Sequence, residues 1–469
     1  MHAAGHAYNL LSPAEETTIH QGVLRILAEV GMEIQNDEIL HLMAEAGAIV
    51  DFDTLRARFP VSLVEKFLGE AEKQDCEARQ PQVGGSAGVY HGKFHDPESN
   101  KLVEWDERSL AYYFKLASRQ KFLSGASMLG SRLAVSGELE PLYERYYCWK
   151  YGAQEGGSVY LDELCPYLYE LYELRAAQQG KTIQDVFHAS VYLIPALKLG
   201  RHEAYQVAWF RKRGLRAGVG DMLALGGTSP VTLAGTVTLN LAEQLALRIF
   251  DWALFGEKKL SIGGSMSVID MRTMIYPYGR PEMALANLMT AQMARFYGAS
   301  YSGHAGLSDA KLPSVEAGYQ KALTAIPTLL ASGSFWMDAG LLSTDEVCSP
   351  VQMILDNEFL SALSHFCREF EVSEESLGLE TILEAGPGGS YMDKEHTARR
   401  FRHEHWQPEI WSREMLAPWL AGPCKLDVDQ ARQQAIELMQ KKEMGPGLPV
   451  TFENDLLKII DHARQKLVV

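Results

Sequence analysis

The chain has 469 residues, 46% of them hydrophobic and 22% charged. These are ordinary globular proportions, and they fit one large α/β barrel with additions as well as two or three average domains. Asp and Glu number 60 against 44 Lys and Arg, a formal charge of −16. Such a surface repels nucleic-acid backbones and anionic lipid, so neither partner is expected. No run of about eighteen apolar residues suggests a membrane span. The start, Met1 to Tyr8, lacks the basic and then apolar pattern of a secretion signal. Cysteines at 76, 148, 165, 348, 367 and 424 form no CxxC pair. They read as reduced thiols, and a cytoplasmic location is expected.

In chain order, Ser12-Pro13-Ala14-Glu15 reads as a capping box. Ile19, Val23, Ile26, Leu27 and Val30 then recur at helical spacing until Gly31. A second helix is expected over 37–46, and a third opens at Phe59-Pro60-Val61. The Gly- and Pro-rich stretch 80–100 follows, with a hairpin expected around Gly88–Gly92. From about 102 to 340, short apolar runs alternate with helical patterns such as 231–255 and 281–297. Strands are expected at 122–128, 158–163, 187–193, 216–222, 260–265, 300–305 and 334–338. This alternation implies parallel strands with crossover helices. An eighth strand would close a barrel, but the pattern does not locate it. A doubly wound open sheet is the alternative, although its usual Gly-rich first turn is not evident. We expect an α/β TIM (β/α)₈ barrel with N-terminal and C-terminal helical additions. Residues 1–100 form the helical N-terminal region and connector, 101–345 the main part of the barrel, and 346–469 a helical region that completes and flanks it.

Several motifs carry no function. Gly84-Gly-Ser86-Ala-Gly88 matches G-x-S-x-G without a strand before it and a helix after it. Gly218-Val-Gly220 lacks the third glycine of a dinucleotide fingerprint, and no P-loop occurs. His365-Phe-Cys367 and His403-Glu-His405 are expected on helices, where residues two apart diverge. No metal site is expected.

The most distinctive segment is Gly226-Gly-Thr-Ser-Pro-Val-Thr-Leu-Ala-Gly-Thr236, leading to Asn240-Leu-Ala-Glu243. Thr228 or Ser229 is expected to cap the following helix, with Pro230 in its first turn. The exposed N–H groups there can hold an anionic group, though a plain, well-capped loop reads the same way. This segment resembles the Gly-x-Thr-x-Pro-Val-Thr loop of the trimethylamine methyltransferase family, the MttB superfamily. Further stretches resemble the same family in order: Leu11-Ser12 through Ala46-Gly47-Ala48, Asp270-Met-Arg-Thr273 with Gly279-Arg-Pro-Glu282, and Leu307-Ser-Asp309-Ala-Lys311 with Ala317-Gly-Tyr319. The last are Glu384-Ala-Gly-Pro-Gly-Gly389 with His396-Thr397, and Pro408 with Arg413-Glu414.

The resemblance implies an enzyme that moves a methyl group from an amine to the Co(I) corrinoid of a partner protein. The family's founding members carry pyrrolysine and use trimethylamine, whereas this chain contains only the twenty common residues. Relatives without pyrrolysine use quaternary amines such as glycine betaine, proline betaine and carnitine. The implied protein serves one-carbon metabolism of the kind related to methanogenesis. It binds no cofactor tightly itself and takes its corrinoid from the partner; because large barrels often pair, a homo-oligomer is also expected.

A quaternary ammonium is held by aromatic faces, and Tyr160, Tyr301, Phe335 and Trp336 stand near expected strand ends. Glu163, Asp309 and Asp338 are their acidic neighbours. His304, Lys311, Arg272 or the Thr228 loop would take a substrate carboxylate. The aromatic residues would serve equally as packing inside a barrel, and Asp270 and Arg272 as a simple pair. Two other classes stay open: a metal-dependent lyase or hydrolase on the same scaffold, and a non-catalytic betaine-binding protein.

Overall fold

A computed structural model describes residues 8–74, 82–128, 133, 135–301, 303–441 and 447–468. Cys76 lies outside them; the other five cysteines are unpaired. The expected capping box opens the first helix, Pro13–Glu29. Glu15 accepts from the Ser12 N–H at 2.8 Å, while the Ser12 hydroxyl accepts from the Glu15 N–H. The helix buries Ile19, Val23, Leu24 and Leu27. Gly31 follows at φ +70°, where a Cβ would stand 2.2 Å from the Ala57 carbonyl oxygen. Only glycine fits that crossing. Helices Asp37–Glu45 and Val61–Glu70 complete this region, with a small sheet containing Met32–Ile34, Ile49–Asp51 and Arg56–Arg58.

From residue 82 onward, strands and helices alternate. The strands include Gln82–Val89, Leu123–Met128, Gln154–Glu155, Ala189–Tyr192, Ala217–Gly220 with Met222–Leu225, Ser261–Ile262 with Ser265–Val268, Ser300–Tyr301 and Ser334–Ala339. A helix follows each, the longest being Leu233–Phe255, Pro281–Tyr297, Val315–Ser332 and Pro350–Phe366. All ladders between these strands are parallel. They fall into one four-stranded sheet and several two-stranded ones, and no single closed sheet forms among the described residues.

Three sequence expectations change here. The run 82–89, read as part of a turn-rich connector, is a strand paired on both sides, with Ser334–Ala339 and with Leu123–Met128. Its small residues are a packing requirement. A Cβ on Gly85 would stand 2.5 Å from the Met337 carbonyl oxygen. The hairpin expected at 88–92 lies further on, between Lys93–Asp96 and Lys101–Val103. Ser86 sits inside the strand and is buried, so Gly84–Gly88 forms no nucleophile elbow. The strand expected at 158–163 is shorter and earlier, ending before Gly157 at φ +91°.

Beyond residue 366 the chain is helical, as expected, and a further helix, Val450–Leu467, packs back on Cys165–Gln179. The short helices between 374 and 421 bury no residue, leaving Leu383, Met392, Met415, Leu416 and Leu420 exposed. Among the described residues, no helix is long and apolar enough to cross a membrane.

Candidate active site at the strand ends

The C-terminal ends of the parallel strands surround a cavity of about 790 Å³. In sheets with crossover helices this end is where ligands bind, because loops from several strands converge there. Tyr90, Tyr160, Tyr192, Tyr278 and Trp336 line it, with Asp221, Asp338, Asp345, Glu203, His304 and Arg248. Trp336, Tyr192 and Tyr160 keep 48%, 55% and 43% of their surfaces exposed.

Asp338 is the centre of this arrangement. Its Oδ2 lies 3.3 Å from His304 Nε2, and His304 Nδ1 lies 3.0 Å from the Ser265 hydroxyl. Burial disfavours the His304 imidazolium, but the Asp338 hydrogen bond and the charges of Asp338 and Asp345 outweigh it, so the pKa rises. Burial first, and the charge of Asp338 after it, also raise the phenol pKa values of Tyr90 and Tyr192. Tyr278 feels the same carboxylate and donates to Asp345 Oδ2 at 2.6 Å. Burial lifts Asp345 to about 6, and its Oδ1 has no partner.

Buried charges hold this rim in place. Lys321 donates to Asp356 at 3.0 Å and to the Gly306 carbonyl at 3.1 Å. Asp356 accepts from the Gly340 N–H at 2.8 Å. One ion pair thus ties the chain two residues past His304 to the chain two residues past Asp338. On the other side, fully buried Arg145 pairs with Glu144 at 3.3 Å and donates to the Ser158 carbonyl at 2.6 Å. Glu144 accepts from the Gly157 N–H at 2.8 Å. These bonds fix the turn that carries Tyr160, whose φ is +60°.

The floor is acidic and less satisfied. Asp221 is 8% exposed; its Oδ1 accepts from Gln244 at 2.7 Å and its Oδ2 has no partner. Burial raises its pKa. Behind it, Glu243 is fully buried and accepts from the Leu197 N–H. Burial, and then the Asp221 charge, push Glu243 up to about 8.

Of the residues singled out from sequence, the cavity brings together Tyr160, His304, Trp336 and Asp338. The others lie elsewhere. Tyr301 and Phe335 are 8% and 3% exposed and face a second cavity at the opposite strand ends. Tyr301 donates there to Asn287 at 2.9 Å. Phe335 and Trp336 both line that second cavity, and of the two Trp336 also reaches the first. Glu163 and Lys311 are exposed and do not line the cavity. Asp309 also lies off the lining and accepts from the Tyr278 N–H at 2.7 Å. Arg272 is exposed, and Asp270 accepts its backbone N–H at 2.9 Å in a local turn. The Thr228 hydroxyl is turned back onto the Ala224 N–H at 3.0 Å. The helix cap is Thr232, not Thr228 or Ser229, because the helix begins at Leu233, past Pro230. His365 contacts the Glu404 carbonyl at 3.1 Å.

Tyr192 and Asp221 were missed although both end expected strands. Tyr90 was missed with its strand, and Tyr278 and Asp345 lie in loops without a pattern of their own.

The family model described as trimethylamine methyltransferase (MTTB) matches residues 2–90 and 202–467. The trimethylamine methyltransferase MttB of Desulfitobacterium hafniense is 23% identical, across 97% of this chain and 94% of its own. That of Methanosarcina thermophila is 24% identical, across 97% and 96%. A glycine betaine methyltransferase of Desulfitobacterium hafniense is 26% identical, across 88% of each chain. Among solved structures, the hydroxylamine complex of MtmB aligns over 97% of this chain and 92% of its own, with a TM-score of 0.44 and 11% identity.

Proposed function

The chain belongs to the trimethylamine methyltransferase family, and from that premise we propose that it transfers a methyl group from a quaternary amine to the Co(I) corrinoid of a partner protein. The observation that carries this reading is Asp338, set among Tyr90, Tyr192 and Tyr278 at the strand ends. A carboxylate among aromatic rings suits a cation that cannot donate a hydrogen bond. Each ring contributes about 0.5–2 kcal/mol of cation–π attraction.

The chemistry asks little else of the protein. The C–N bond breaks and its electron pair stays on nitrogen, so a quaternary ammonium leaves as a neutral tertiary amine. No proton is required. The partner's reduced corrinoid supplies the electron pair for the new bond to the methyl carbon. Asp338 and the rings hold the cation and point one methyl toward the open mouth. The His304–Asp338 and Tyr278–Asp345 bonds keep the cage in shape, so catalysis is mostly positioning. In this reading the chain keeps no cofactor of its own.

The finer fold belongs to the same proposal. Eight strand-and-helix units in chain order, with the first strand paired to the last, support a (β/α)₈ barrel. The exposed apolar side chains between 383 and 420 support association of identical chains.

The test mixes the purified chain with a reduced corrinoid protein and each of glycine betaine, proline betaine, carnitine, choline, tetramethylammonium and trimethylamine. Growth of methylcobalamin absorbance with a quaternary compound is expected. Transfer from trimethylamine alone, or from none of them, overturns the reading.

A further inference from the structure

Held against the charge that lines it, the cavity narrows the substrate. Asp221, Asp338, Asp345 and Glu203 face it, against His304 and Arg248. His304 is committed to Asp338. Arg248 leans on Asp251 at 3.3 Å. The groups that sequence alone offered for a substrate carboxylate, Arg272, Lys311 and the Thr228 loop, do not line it. A carboxylated amine would bring a further negative charge into a space already rich in carboxylates, where the one guanidinium among the described lining residues, that of Arg248, already leans on Asp251. Like charges so enclosed repel strongly.

The cavity also holds an acceptor the cation cage does not use. Asp221 is more than nine-tenths buried, and its Oδ2 has no partner. A buried carboxylate oxygen left without a donor is costly. A ligand that supplies the donor recovers that cost. Tyr192 feels the charges of both Asp338 and Asp221, and all three line the cavity. A volume of about 790 Å³ leaves room beyond a trimethylammonium head for a short chain reaching between them.

We propose that the substrate is a quaternary ammonium alcohol without a carboxylate, its cation at Asp338 and its hydroxyl donating to Asp221. The inference rests on the methyl-transfer reading, and it sets choline-like compounds above betaines for this chain. The hydroxyl donates to Asp221 Oδ2 while Gln244 keeps Oδ1. The ammonium sits beside Asp338 among the rings.

The experiment compares choline, glycine betaine and tetramethylammonium in two ways: calorimetric binding to the full chain alone, and methyl transfer to a reduced corrinoid protein. Choline is expected to bind at least tenfold tighter than glycine betaine and to show the higher kcat/KM. Asp221→Asn should remove most of choline's advantage over tetramethylammonium. Equal binding of choline and tetramethylammonium to the wild-type chain overturns the hydroxyl contact. Tighter binding of glycine betaine overturns the whole inference, and points instead to a carboxylate on Arg248, whose Nε is buried without a partner. Binding alone decides between these outcomes, even if the variant fails to fold. Choline-selective binding without any methyl transfer would overturn the methyltransferase reading and leave the ligand assignment standing.

Discussion

The two ends of the parallel strands enclose nearly equal spaces, about 790 and 770 Å³, with opposite chemistry. The upper is lined by carboxylates, His304, Arg248 and exposed rings. The lower is lined by Gln82, Ser261, Ser300, Ser334 and Ser364, with Tyr301 and Phe335, and no acid or base reaches it among the described residues. Trp336, Gln244 and Gly303 border both. Volume therefore does not mark the site. What marks it is charge held in place by buried pairs, and that difference can be broken one residue at a time.

The largest effect is expected at Arg145, which braces the upper rim without touching the cavity. Arg145→Met strands the buried Glu144 carboxylate, at about 3–5 kcal/mol of stability. Chemical denaturation measures it, and a loss below about 1 kcal/mol would mean that the rim does not depend on this pair. Next comes Asp338→Ala. It should cut kcat/KM by about 2–5 kcal/mol, roughly thirtyfold to several-thousandfold. Ser334→Ala in the lower space should leave steady-state rates within about twofold; equal losses in both variants would erase the contrast.

The floor gives a pH signature. The folded pKa of Glu243 is raised from 4.5 to about 8, so the folded chain keeps a proton that the unfolded chain has released. Wild-type stability should therefore fall between pH 4.5 and 8, relative to Glu243→Gln, by at most about 1.4 kcal/mol per pH unit. The gap should then stay level above pH 8. Melting curves across that window check it, and parallel curves throughout would place an ionised carboxylate in the core. The smallest effect belongs to the rings. Trp336→Leu should raise KM by about 0.5–2 kcal/mol, two- to thirtyfold, while Tyr301→Phe leaves it unchanged. Equal KM shifts would mean that Tyr301, too, faces the ligand.

How legible all this is from sequence depends on the range of the forces involved. Helix 13–29 is readable because its cap and apolar stripe are local. Strands such as 189–192 and 334–339 are readable because apolar runs alternate with helical ones. Strand 82–89 is not, because its glycines answer to Met337 and Trp336, far along the chain. The same holds in the site. Residues at strand ends can be proposed, but whether Phe335 or Trp336 faces the cavity depends on register. Asp345 and Tyr278 find each other only through the fold. The Arg272 and Lys311 segments carry the family resemblance yet sit away from the cavity, so a family-like segment and a ligand-facing residue are different things.

The pairing of Gln82–Val89 with Ser334–Ala339 has a consequence for how the chain comes into being. Its first parallel strand meets its last only after nearly three-quarters of the sequence has been made. Until Ala339 emerges from the ribosome, one edge of the early strand has nothing to pair with. Such waiting edges recruit other chains when they are rich in β-branched and aromatic residues. This one reads Gln-Val-Gly-Gly-Ser-Ala-Gly-Val, a poor template for aggregation. The glycines that let the strands pack closely at the end of folding also keep the nascent edge from sticking at the start.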